Sequence, residues 1–292
     1  MSNQLFHAVK DSIKHHAKIY TYPCGIMDIV ASSEPDFGSK GWERSEDYSR
    51  PKREIRGVDH VDDQPTERRP GAAMEDLERS MRRARSKVRR IALSNDFRYF
   101  VTLTIDPSKV DSCDGSAVIK KLNAWCSNMV QRHGLKYILV TERHKKGGIH
   151  FHGFFNGALP VVDSGTLRLP WSKKPRKPKN EAQRAEWLAC GGSVVYNLPA
   201  WSLGFTTALP LYGDYPAAVA YVCKYIGKDG EKPAGRWYYS GGDLQEPKVD
   251  YAEISAAELA AECGDNCWIG YVPGRQITVA NGLRVHDQVQ EE

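Results

Sequence analysis

Three β-forming runs, the last two close enough to pair, constrain this chain more than any other feature. They are Tyr99-Phe-Val-Thr-Leu-Thr-Ile105, Lys136-Tyr-Ile-Leu-Val-Thr-Glu142 and Ile149-His-Phe-His-Gly-Phe-Phe155, which are β-branched and aromatic almost throughout. Arg143 to Gly148 is a polar, glycine-containing turn, so the second and third runs are predicted to form a hairpin. Side chains two apart in a strand share a face. His150 and His152 therefore project side by side, and Phe151 turns to the other face. Glu142 ends the partner strand, so its carboxylate is expected to approach as a third ligand. Two imidazoles and one carboxylate leave open coordination positions on a metal, where a phosphate oxygen is polarised. A histidine pair of this kind is by itself a weak signal. The cupin alternative needs a further carboxylate shortly after the second histidine, and Gly153-Phe-Phe-Asn-Gly157 stands there instead.

A second constellation is Tyr221-Val-Cys-Lys-Tyr-Ile-Gly-Lys228. A helix is predicted over Tyr215 to Ile226, entered through Pro216 and stopped near Gly227 and Gly230. Residues four apart lie on one helix face, which sets the Tyr221 and Tyr225 phenols on the same side. Lys224 and Lys228 each follow a tyrosine by three positions. A phenol ionises near pH 10 and is a weak nucleophile near neutrality; a neighbouring cation favours the phenolate and neutralises phosphate. Packing of one tyrosine and solvation of the lysines is the plain alternative.

Taken together, the two constellations resemble the HUH endonucleases, the rolling-circle replication initiators of phages and plasmids. The likeness is greatest to replication-associated proteins of small single-stranded DNA phages. Phe100-Val-Thr-Leu-Thr104 resembles the family's first motif, His150-Phe-His152 preceded by a glutamate its second, and Tyr221-xxx-Tyr225-xx-Lys228 its third. The resemblance covers roughly residues 75–250. It implies a ferredoxin/RRM-like, mainly antiparallel sheet with helices on one side and the HUH histidines on a central strand. It also implies Mg²⁺ or Mn²⁺ held by His150, His152 and Glu142. A tyrosine attacks the scissile phosphate of a single-stranded, hairpin-bearing origin, giving a 5′-phosphotyrosyl link and a free 3′-OH, with later rejoining. Tyr225 is the first-choice nucleophile because Lys228 follows it. Tyr221 is a second nucleophile or a packing neighbour, and Lys224 leaves that choice open. No P-loop is present, so a host helicase and a host DNA polymerase are the expected partners.

The rest of the chain is read around this centre. Met74, Leu77, Met81, Ala84, Val88 and Ile91 recur at helical spacing, and the same helix carries Arg79, Arg82, Arg83, Arg89 and Arg90 as candidate DNA contacts. Residues 160–180 read as a proline-containing basic loop, with Lys173, Lys174 and Arg176 as further candidates. The order of strands and helices does not alternate as βαβ units, which points to an α+β fold with a mainly antiparallel sheet. Three parts are expected: a partly disordered segment over 1–73, an endonuclease domain over 74–250, and an extension over 251–292 that includes a helix near 252–263. The formal net charge of +5 permits nucleic acid without requiring it. Seven scattered cysteines read as reduced thiols rather than a disulfide framework. Neither a signal peptide nor an apolar run of membrane-spanning length is visible, so a cytoplasmic protein is expected, in the host cell if phage-encoded. Two other functions fit less of the sequence. A relaxase or transposase of the same superfamily shares the chemistry. A non-enzymatic single-strand-binding module would stack bases on Tyr99, Phe100, Phe151, Phe154 and Phe155 but leaves Glu142 and the histidines unexplained.

Overall fold

The computed structural model describes residues 14–33, 72–144, 147–172, 174–228, 230, 232–233, 235–263, 267–272 and 275–284. The chain divides into two compact units, Asp76–Glu246 and a second built from both ends of the chain, Met1–Glu75 with Pro247–Glu292.

The central unit is a seven-stranded sheet. In chain order its strands are β3 (Tyr99–Ile105), β4 (Tyr137–Arg143), β5 (Ile149–Phe155), β6 (Val162–Arg168), β7 (Ser193–Asn197), β8 (Gly204–Pro210) and β9 (Tyr238–Gly241). They lie side by side as β6-β7-β8-β3-β5-β4-β9, and every described pairing is antiparallel. The expected β4–β5 hairpin forms, and Gly147, at a φ of 91°, makes the turn a side chain would strain. The histidine strand β5 is flanked by β3 and β4, so its backbone groups are satisfied on both edges.

Helix α1 (Ala72–Ser94) precedes β3, and α2 (Gly115–His133) links β3 to β4. Asp114 caps α2 by accepting hydrogen bonds from the Ser116 and Ala117 amides, and Gly134 at a φ of 66° ends it. Val118, Leu122, Trp125 and Met129 of α2 pack on Val101, Leu103, Leu139, Phe151 and Phe155, the odd-numbered face of the sheet. The other face is covered by different helices. Tyr215 and Tyr221 of α4 (Tyr215–Cys223) pack on Phe154 and Phe100, and Tyr215 Oη donates to the carbonyl of Ala92 on α1 at 2.7 Å. The α+β, mainly antiparallel architecture thus stands as read, but the helices lie on both faces rather than one. The reason is the composition of β5: Phe151 and Phe155 are apolar on one face, and Phe154 on the other, and both faces must be buried.

The insertion read as a basic loop over 160–180 is structured. It holds β6, a bridge between Leu167 and Arg176, and leads into α3 (Glu181–Ala189), capped by Asn180. The tyrosine helix ends at Cys223, three residues before the predicted limit, and the chain continues as turns.

The second unit is a five-stranded sheet ordered β10-β1-β2-β12-β11, from β1 (Lys14–Thr21), β2 (Ile26–Ser32), β10 (Lys248–Ser255), β11 (Cys267–Val272) and β12 (Arg275–Arg284). The first two strands fall within the 1–73 segment, where the sequence showed no strand. Their neighbours β10 and β12 come from more than two hundred residues away, so nothing local announces the sheet. Asp28 is buried there with both oxygens satisfied, by Tyr22 Oη at 2.8 Å and the Gly282 amide at 2.8 Å. The helix expected near 252–263 begins only at Ala256, because Tyr251 to Ser255 complete β10 (α5, Ala256–Cys263). Among the described residues no helix is long and apolar enough to cross a membrane, and Cys24, Cys113, Cys126, Cys190, Cys223 and Cys267 are free thiols.

Candidate active site

Register across three strands assembles the candidate site. His150 stands opposite Glu142 on one side and Thr104 on the other; His152 stands opposite Val140 and Thr102. Directly opposed residues of an antiparallel pair share a face, so both histidines, Glu142 and both threonines project to the face under α4. Phe205, exposed on β8 and opposite Thr104, extends the same face.

His152 and Glu142 are in contact, with 2.6 Å between Nε2 and Oε2, and the second Glu142 oxygen accepts from Lys228 Nζ. The hydrogen bond with His152 is the largest influence on Glu142, and with help from Lys228 it outweighs burial and holds the carboxyl down at about 2. The Nδ1 atoms of the two histidines face the adjacent strand: His152 Nδ1 lies 3.2 Å from Thr102 Oγ1 and His150 Nδ1 3.4 Å from Thr104 Oγ1. Engaging Nδ1 in this way orients each ring and leaves Nε2 as the outward donor atom. Burial, followed by the neighbouring His152 and His144, lowers the His150 pKa, so its neutral form is favoured. The His150 ring stacks on His144, with 5.3 Å between centroids. Among the described residues no three histidine, cysteine or carboxylate side chains already converge on one cation position. The chemistry of the donors still suits a divalent metal: two imidazole nitrogens and a carboxylate share one face, with hydroxyls behind the rings. Imidazole donors favour Mn²⁺ over Mg²⁺, which prefers an all-oxygen shell.

The tyrosines come next. Past Cys223 the chain tightens into i→i−3 hydrogen bonds, from Lys224 N to Tyr221 O, Tyr225 N to Val222 O and Lys228 N to Tyr225 O. Gly227, at a φ of 79°, turns the chain so that Lys228 reaches Glu142. The two phenol oxygens remain one turn apart and hydrogen-bond at 2.7 Å. Tyr225 lies flat on the His152 ring, centroids 4.1 Å apart and planes 14° apart, while Tyr221 meets Phe100 edge-on. Burial, the Tyr221 hydrogen bond and the Glu142 charge together push the Tyr225 phenol well above the ordinary tyrosine range. The phenolate therefore needs positive charge brought to this position. Lys228 Nζ lies 5.4 Å from the centre of the Tyr225 ring, whereas Lys224 is exposed and makes no side-chain contact to either tyrosine among those described.

The sequence-derived basic residues are dispersed. Arg79, Arg82 and Arg83 are exposed on α1, Arg79 paired with Asp76 at 3.0 Å, and Arg89 and Arg90 are half-buried. Lys174 and Arg176 lie in the structured insertion, and Lys173 falls outside the described residues. Sequence reasoning passed over three contributors. Thr102 and Thr104 were legible only as alternate residues of a strand, until the register set them behind the histidines. Arg85 of α1 donates through Nε and Nη2 to the Ile226 carbonyl at 3.2 and 2.7 Å, pinning the turn that carries Tyr225.

Residues 98–230, which hold all of these elements except α1, match the family of replication-associated proteins that takes in the ORF2 and phage gene II proteins. The matched span is somewhat under half of the chain, and it supports a replication initiator. No curated protein and no solved structure matches the chain.

Proposed function

We propose that the protein is a replication-initiating endonuclease that nicks single-stranded origin DNA by attack of Tyr225 on the scissile phosphate. The observation that carries the reading is the stacking of Tyr225 on His152 while His152 meets Glu142: the nucleophile and the metal-binding donors form one cluster. His150, His152 and Glu142 would hold Mn²⁺ or Mg²⁺, which when bound supplies positive charge to a non-bridging phosphate oxygen. Tyr225 Oη forms the new bond to phosphorus as the bond to the 3′ oxygen breaks. The phenolic proton departs toward Tyr221 Oη, its hydrogen-bond partner, and solvent, and the 3′ oxygen leaves as a hydroxyl after taking up a proton. The product is a 5′-phosphotyrosyl linkage and a free 3′-OH, which a host polymerase can extend behind a host helicase. The reverse attack rejoins the strand. Lys228 holds Glu142 in place and lends positive charge beside the Tyr225 ring. Tyr221 orients the Tyr225 hydroxyl and is near enough to act in a second round. A relaxase or transposase would use the same residues on a different DNA target.

The test is a denaturing gel of origin oligonucleotides labelled 3′ of the nick, incubated with Mn²⁺ or EDTA. A protein–DNA adduct is expected with Mn²⁺, absent with EDTA, in Tyr225→Phe and in His152→Ala, and slowed in Tyr221→Phe. An adduct that survives Tyr225→Phe but not Tyr221→Phe moves the nucleophile. Binding to the true origin without any adduct leaves only the single-strand-binding reading.

A further inference from the structure

We infer that the insertion between β5 and β8 builds a second DNA-binding site, a basic cleft that takes a stretch of single strand on Lys174, Arg176, Lys177 and Lys179 with one base against Trp187. The cleft encloses about 770 Å³ and is lined by Ser172, Pro175 and Gln183 besides these five. Four of its eight lining residues are cationic and none is acidic. Among the described residues the lysine ammonium groups of Lys174, Lys177 and Lys179 have no carboxylate partner, unlike Arg184 beside them, which pairs with Asp163. A surface that gathers cations without countercharge is stabilised by an anionic ligand.

The walls are fixed. Arg176 exchanges both backbone hydrogen bonds with Leu167 at 2.8 and 2.9 Å, the Ser172 hydroxyl donates to the Lys174 carbonyl at 2.8 Å, and Arg176 Nε donates to that hydroxyl at 3.2 Å. Trp187 is held through its carbonyl by the Gly192 amide at 2.8 Å; a side chain at Gly192 would meet that carbonyl at 2.6 Å, so the close approach requires glycine. The first turn of α3 is closed internally, with Asn180 capping the Gln183 amide and Gln183 accepting from the Lys179 amide. The side-chain cations, not free helix amides, therefore define the site. A half-buried indole beside four cations suits a nucleotide, whose phosphate and base meet these two groups, and stacking on an aromatic ring requires a base free of its duplex partner. That the strand is DNA rests on the proposed function.

The cleft is separate from the tyrosine centre. Four strand spacings separate β6 from β5, roughly 19 Å at about 4.8 Å each. A strand engaged at both places would be held on either side of the intervening nucleotides, so the cleft would act as a register contact rather than in the chemistry.

The test measures equilibrium binding in EDTA by fluorescence anisotropy, with a single-stranded oligonucleotide of about 20 nucleotides and its duplex, between about 50 and 200 mM salt. The triple change Lys174→Ala, Lys177→Ala, Lys179→Ala is expected to reduce the slope of log affinity against log salt by about 2, from roughly 0.7 per phosphate contact. Trp187→Ala is expected to weaken single-strand binding at least about 5-fold, with little change on duplex, and Trp187→Phe to restore most of it. A control with equal charge loss, Lys120→Ala, Lys121→Ala, Arg132→Ala on α2, should leave the slope unchanged. Wild-type affinity in Trp187→Ala, or an equal loss of slope in the control, overturns the proposal. Because no strand is cut in EDTA, this result is independent of the adduct assay: either can fail while the other stands.

Discussion

Replacing Thr102 by valine removes one hydroxyl from behind His152 and leaves side-chain volume and strand preference nearly unchanged. Thr102 Oγ1 lies 3.2 Å from His152 Nδ1, while Thr104 Oγ1 lies 3.4 Å from His150 Nδ1, the longer and weaker of the two contacts. A hydrogen bond of this kind is worth about 1–1.5 kcal/mol, or roughly 5- to 13-fold in an equilibrium constant, which meets the lower end of the roughly 10- to 100-fold effect of a group supporting a metal-bound histidine. Thr102→Val should therefore weaken Mn²⁺ binding about 10-fold, Thr104→Val less than that, and the pair by about the product. Valine is favoured in strands, so unfolding free energy should change by no more than about 1 kcal/mol. The assay is isothermal titration of Mn²⁺ into DNA-free protein, with adduct formation followed in parallel. His152→Ala serves as the reference for complete loss. If His152→Ala abolishes Mn²⁺ binding and Thr102→Val leaves it within two-fold or so of wild type, the threonines do not orient the histidines and the reasoning fails. A larger effect at Thr104 than at Thr102 would equally refute the ranking.

Three further outcomes follow from the same geometry. Glu142 has its carboxyl held at about 2 in the fold against an ordinary value of 4.5, so the stability it contributes is complete above about 4.5 and lost as pH falls toward 2; thermal midpoints of Glu142→Gln should show a flatter acid limb than wild type over that range. His150 is lowered by burial, so the unfolded chain binds protons first as pH drops below 6.5, and its share of stability, present above 6.5, is lost on acidification; Mn²⁺ affinity should accordingly hold through pH 6.5 and fall only below it, and a midpoint above 6.5 would contradict the shift. Arg85→Ala removes two hydrogen bonds to the Ile226 carbonyl, a partly buried contact worth about 1–1.5 kcal/mol; adduct formation should slow about 10-fold while oligonucleotide affinity changes little, and an equal loss in both would make Arg85 a DNA contact instead.

Much of the site was legible because its residues follow local periodicities. The two-residue repeat of a strand places His150 and His152 on one face, the four-residue spacing of a helical turn places Tyr221 beside Tyr225, and a short glycine turn makes Glu142 the partner of His150. These relations depend only on backbone geometry within about fifteen residues, so composition and spacing suffice to state them. What lies behind the histidines was not legible, since Thr102 and Thr104 are ordinary strand residues until β3 is registered against β5. The bearing of Arg85 on the tyrosine turn joins positions 141 apart in the chain. The second sheet was hidden for the same reason: β1 and β2 are short and polar enough to pass as linker, and only pairing with β10 and β12, from the far end of the chain, satisfies their backbone groups. The basic insertion shows the limit most directly. Its charge was plain in the sequence, but whether lysines separated by proline wave in solvent or line a cleft depends on a bridge to Leu167 and on a tryptophan one helix away. The sequence by itself determined which residues share a strand face or a helical turn, because those are properties of the local backbone. The tertiary structure alone decided which faces meet, because that is settled by burying apolar surface and satisfying hydrogen bonds across the whole chain.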